Sequence, residues 1–74
     1  MDVRREARSE RVRTLATTPG ATIEVIDTST LHITADDGVA FAMARRRVQV
    51  ACEHLDCGCI WTSALDYTAV VQFV

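Results

Sequence analysis

All three cysteines of the chain and one of its two histidines fall within eight residues, Cys52-Glu53-His54-Leu55-Asp56-Cys57-Gly58-Cys59. Thiolate and imidazole are the donors that a tetrahedral zinc site favours. His54-x-x-Cys57-Gly58 has the length of a metal knuckle, where a tight turn ending in glycine lets backbone amides point at the sulfur. Cys52-x4-Cys57-Gly58 is a looser version of the same arrangement. One expectation is therefore zinc held by His54 and Cys57, joined by Cys52 or Cys59, with His32 as a further donor from across a sheet. A second ligand pair a dozen or more residues away, which would make the spacing diagnostic, is missing. The competing expectation treats Cys52 as a small hydrophobe on an apolar helix face, with Cys57 and Cys59 packed around a glycine turn. Nucleophilic cysteine chemistry is disfavoured, because a helix C-terminus presents negative partial charge and raises a thiol pKa.

Arginine supplies the other candidate chemistry. Arg45-Arg46-Arg47 forms one run, and five more arginines lie in the first thirteen residues. Guanidinium groups bind phosphate bidentately and stack on aromatic rings, so the two clusters offer a nucleic-acid or partner surface, with Trp61 as an added contact residue. Three arginines on the exposed arc of a helix are, on the other reading, a solvated face. Asp36-Asp37 could bind a cation but is more simply a helix cap. Ser63, His54 and Asp56 or Asp66 spell a triad only on paper, and so short a chain leaves little room for a substrate cleft. No enzyme is expected.

Seventy-four residues make a single domain. Such a chain buries a smaller share of its surface than a larger one, and its core often needs a disulfide, a metal or a second copy. Phe41, Trp61, Tyr67 and Phe73 are all its aromatics, so Val, Ile, Leu and Ala must fill the interior. The net charge of −2 gives no global field toward polyanions. Arginine without lysine, beside abundant Ala, Val and Thr, reads as GC-rich coding of bacterial or phage type. The charged N-terminus lacks a signal-peptide core, and no stretch approaches the roughly 20 apolar residues of a membrane span. A cytoplasmic location without membrane contact is expected, where an odd cysteine count fits metal ligands or buried thiols better than disulfides.

The elements that must position these residues follow from periodicity. Asp2 to Ala16 reads as a charged helix with a thin stripe of Val3, Ala7, Val12, Leu15 and Ala16. Asp2–Arg5 and Glu10–Arg13 support it and Glu6–Glu10 opposes it; Thr17-Thr18-Pro19-Gly20 ends it. Ala21 to Ile26 and Thr30 to Ala35 form a hairpin around Asp27-Thr28-Ser29, with Ile23 and Val25 sharing one face of the first strand, Leu31 and Ile33 one face of the second, and His32 and Thr34 pointing the other way.

From Asp36 two readings compete. A helix puts Phe41, Ala44, Val48, Cys52 and Leu55 on one face, capped by Asp36 or Asp37 and closed by Gly58 in the left-handed position. A hairpin uses Asp37-Gly38 as its turn and alternates Val39/Phe41/Met43 and Val48/Val50/Cys52. The helix is preferred, since it needs one unbroken pattern. Cys59 to Ala64 and Thr68 to Val74 close the chain as a strand pair around Leu65-Asp66-Tyr67, with Ala69, Val71 and Phe73 inward. A last strand apolar on both faces is either central in its sheet or covered by another chain.

The expected fold is a small α+β domain: a charged helix over 1–17, then a core over 21–74 in which antiparallel strands pack on a central helix. The alternative is a mostly-β roll with residues 38–52 as a hairpin. The expected function is non-enzymatic binding to another protein or to a second copy of the chain, with zinc at 52–59 as a staple. The alternative is a small nucleic-acid-binding regulator that uses the arginine clusters.

Overall fold

The computed structural model describes residues 8–63 and 66–74. Six elements run in the order α1 (Arg8–Leu15), β1 (Ala21–Asp27), β2 (Thr30–Ala35), α2 (Gly38–His54), β3 (Cys59–Ser63) and β4 (Thr68–Phe73). The strands form one antiparallel sheet in the order β1-β2-β4-β3. This is the expected α+β domain. The alternative roll is corrected: residues 38–52 are helical, and α2 continues to His54.

Asp37 decides where α2 begins. Its backbone is extended, and its Oδ1 accepts from the Ala40 amide at 2.8 Å. That bond satisfies one of the amides a helix N-terminus leaves unpaired. From there Ala40, Ala44, Val48, Ala51 and Cys52 are buried along one face. The alternation that suggested strands does not sort by burial, for Val39, Met43 and Val50 are all exposed. At the far end Asp56, not Gly58, takes the left-handed conformation, with φ 55°. The Cys57 amide donates to the Cys52 carbonyl at 3.0 Å and the Asp56 amide to that of Glu53 at 3.2 Å. These two bonds make a Schellman turn, which folds Cys57 back over Cys52.

The sheet is one-sided. Register pairs Ile23 with Ile33, Leu31 with Val71, and Trp61 with Val71, so odd-numbered positions of all four strands share the face under the helices. Leu31, Ile33, Ala69, Val71 and Phe73 are buried there with Val48 and Cys52 of α2 and Val12 and Ala16 of α1. Even positions form the outer face, where Thr22, Thr34 and Thr68 stand in one cross-strand row. Glu24, His32, Val70 and Thr62 form the next row. β4 is a central strand, paired along both edges by β2 and β3, and Val70 stands on the outer face of the sheet.

α1 belongs to the core and is held at both ends. Ser9 is fully buried; its hydroxyl donates to the Asp27 carbonyl at 2.6 Å, and its amide meets the Thr28 carbonyl at 3.3 Å. At the other end an Arg47 amino group donates to the Thr17 carbonyl at 2.7 Å. Gly20, with φ 81°, then turns the chain into β1 where a side chain at that φ would be strained. Glu10 and Arg13 pair at 3.6 Å as the sequence suggests. The expected start of the helix at Asp2, the Asp2–Arg5 and Glu6–Glu10 pairs, Val3 and Ala7 lie outside the described residues. So do Ala64 and Leu65 of the expected strand end and turn.

Candidate functional site

The structure gathers the three cysteines. Cys52 is buried at the end of α2, and Cys57 and Cys59, both half-buried, pack against the same core cluster. Cys57 Sγ also sits 3.6 Å from the Cys52 carbonyl, to which it donates. The Schellman turn carries Cys57 back, and the inward register of β3 brings Cys59 in opposite Phe73. Burial, and then the two neighbouring thiols, pushes the Cys52 thiol far above its ordinary value. Two buried anions side by side would have no counter-charge, so Cys52 stays protonated.

The two histidines are placed elsewhere. His54 follows Cys52 by two residues, about 200° around the helix, and lies exposed on the side of α2 that faces the end of α1. His32 stands on the outer face of the sheet, its Nδ1 3.7 Å from Glu24, while Cys59 and Cys52 are on the inner side. Among the described residues no group of three or more His, Cys, Asp or Glu side chains is arranged as a metal site. Cys52, Cys57 and Cys59 come together, and His54 does not join them.

The arginine run is divided by helical geometry. Consecutive residues step about 100° around the axis, so Arg45, Arg46 and Arg47 point three ways. Arg45 lies over Trp61, its guanidinium carbon 5.0 Å from the ring centroid, and 5.8 Å from that of Phe41. Arg47 holds the end of α1. Arg46 lies between them, exposed. Trp61 is half-buried beneath Arg45 and packs against the core, which makes the two a structural pair across α2 and β3. Asp37 caps α2, as the simpler expectation held. The side chain of Ser63 lies outside the described residues.

A second face of α2 was not read from the sequence. Met43, Arg46, Arg47, Val50, Ala51 and His54 line it, and with Leu15 of α1 they enclose a groove of about 410 Å³. Leu15 belongs to the thin apolar stripe expected of the first helix, yet it is 56% exposed, with Met43 at 41% and Val50 at 46%. Its floor is apolar and its rim is Arg46, Arg47 and His54, with no carboxylate among the lining residues. Met43, Val50 and His54 at spacings of seven and four were the available signal. They were masked because the core stripe Ala44/Val48/Cys52 runs one position away along the same helix.

Charge sorts the same way at larger range. α1 and α2 carry six arginines and two carboxylates, Glu10 and Glu53. The other described side-chain carboxylates, Glu24, Asp27, Asp36, Asp37, Asp56 and Asp66, are on strands and connecting turns. The helical layer is therefore basic on a chain that is acidic overall. No helix among the described residues is long and apolar enough to cross a membrane. No protein-family model, curated protein or solved structure matches the chain.

Proposed function

We propose that this chain is a small non-enzymatic protein-binding module, and that the groove between α1 and α2 receives an acidic amphipathic helix from a partner protein. The observation that carries this reading is the groove itself: exposed Leu15, Met43 and Val50 side by side, edged by positive charge and free of negative charge. Helix-in-groove recognition uses apolar anchors one and two turns apart, with charged flanks setting orientation. From Met43 to His54 the groove runs about 16 Å along α2, the length of about three turns of a partner helix. Leucines on one face of that helix would cover the floor, and its glutamates would meet Arg46 and His54.

The test is fluorescence anisotropy with a labelled helical peptide of about four turns, leucines on one face and glutamates on its flanks. Met43→Glu puts like charge into the floor and Arg46→Glu reverses the rim. Each is expected to weaken binding about tenfold or more, equivalent to about 1.4 kcal/mol. Saturable binding that neither change affects, or no binding, would remove the reading.

The basic helical layer favours one other reading, a nucleic-acid-binding regulator. Against it, Arg45 and Arg47 are already occupied within the fold. Among the described residues the outer face of the sheet also offers no Phe, Tyr, Trp or arginine for base stacking, and its one ring, His32, lies beside Glu24. Duplex binding that falls steeply with salt and is lost on Arg46→Glu would favour nucleic acid over protein.

A further inference from the structure

The two open edges of the sheet, β1 and β3, differ in how they are protected. On β1, α1 packs alongside, Glu24 and Asp27 bring negative charge, and the pairing with β2 shifts register between Val25 and Asp27. Charges and bulges of this kind keep an edge strand from pairing with other chains. β3, Cys59-Ile60-Trp61-Thr62-Ser63, has no charge, no proline and an unbroken register against β4. Its free backbone groups follow from that register. The Gly58 and Val74 amides each donate to the other's carbonyl, so the alternation of an antiparallel ladder turns the amides and carbonyls of Ile60 and Thr62 toward β4. Those of Cys59, Trp61 and Ser63 point outward, and among the described residues nothing pairs with them.

We infer that β3 is a self-pairing edge, along which a second copy of the chain adds its own β3 antiparallel and joins the two sheets into one. The strand is complementary to itself about Trp61. A two-fold axis there sets Trp61 against the same residue of the second copy and Cys59 against its Ser63, so every outward amide of β3 meets a carbonyl. On the outer face, exposed Ile60 then lies opposite Thr62 of the second copy, a β-branched pair. On the helix side the two Trp61 rings stand directly opposite, each half-buried under its own Arg45. This symmetry favours a second copy over an unlike strand, because no charge on β3 meets its like. Arg45 is the charged side chain that rests on Trp61, and two of them share one side of the axis, so salt should tighten the pairing. Head-to-tail attraction between basic helices and acidic turns would weaken with salt instead. One five-residue strand pair is a small interface, so the dimer is weak and forms at high concentration. The groove lies toward α1, and the inference does not depend on what binds there.

Sedimentation velocity of the full chain from about 10 μM to about 1 mM covers the range in which so small an interface associates. The expected result is a monomer at the low end and a growing share of dimer at the high end. Amide hydrogen exchange at the two ends reads the register. Protection of Cys59, Trp61 and Ser63 should rise with concentration, that of Ile60 and Thr62 should be present throughout, and the amides of β1 should not change. Ile60→Lys adds charge at an exposed position of the edge and should weaken the dimer at least about tenfold. Ser63→Pro deletes an outward amide that the monomer leaves unpaired and should weaken it likewise. Circular dichroism reports whether both variants fold. Met43→Glu, in the groove, should leave the dimer intact. A monomer throughout, a dimer protected at β1 or α2 and not at β3, or a dimer that folded Ile60→Lys forms as tightly as the wild type would overturn the inference.

Discussion

Cys52 shows how much a single position draws from its surroundings. Its apolar helical spacing gave the burial, but the approach of two other thiols depends on the turn after α2 and the register of β3, and neither is written in local spacing. Because burial and its neighbours raise its pKa in the fold, the unfolded chain releases this proton first as pH rises. Stability is therefore full below the ordinary thiol value of 9.0 and declines above it, toward the raised folded value. A melting-temperature series into alkaline pH should show this decline, and Cys52→Val should flatten it. An unchanged slope in the variant would place the effect elsewhere. Asp37 gives a simpler case. Asp37→Ala removes the bond to the Ala40 amide and should cost about 1 kcal/mol in urea denaturation. Its position was legible because a carboxylate before an apolar-periodic run is a capping signal. Ser9 was not legible, since nothing local distinguishes a buried serine on a charged helix from an exposed one. Its role comes from the Asp27 carbonyl, eighteen residues away.

Among the elements, α2 carries two faces on one helix. The core face was readable because Ala44, Val48 and Cys52 recur at helical spacing without interruption. The groove face was not, because exposed Met43 and Val50 resemble the scatter of apolar residues that any surface shows. The two faces should separate experimentally. Met43→Glu should change stability by no more than about 0.5 kcal/mol, as expected for an exposed site, while Val48→Ala opens the packed core and should cost more. Equal losses from both would show that the groove face is load-sharing core. α1 depends on tertiary anchors more than on its own propensity, being eight residues long as described. Ser9→Ala removes a buried hydrogen bond and should destabilise by about 1 kcal/mol. Amide exchange should rise first around Val12 and Ala16, with β2 and β4 unaffected. For β4 the sequence left a choice between a central strand and one covered by a second chain. The sheet order makes it central, which was not legible because pairing between distant strands is a long-range property.

For the whole molecule, the division into a basic helical layer and acidic turns matters more than the net charge of −2. The sum hides the division because helices and turns cancel. A residue count along the sequence gives the arginine clusters, but only the fold shows that they share one layer and that two of the three central arginines are tied down. The proposed partner helix is anionic and apolar together, so added salt should weaken its binding only modestly, with the apolar floor retaining much of it. Polyanion binding through the same layer would instead fall steeply. Peptide titrations at low and high ionic strength compare the two directly.

The location of the groove as the docking surface is tested most directly by amide chemical-shift mapping of the full chain during titration with the acidic amphipathic peptide. The account predicts the largest shifts at Leu15, Met43, Arg46, Val50 and His54, with the outer face of the sheet unchanged. Shifts concentrated at Glu24, His32, Thr62 and Val70, or none at saturating peptide, would contradict it.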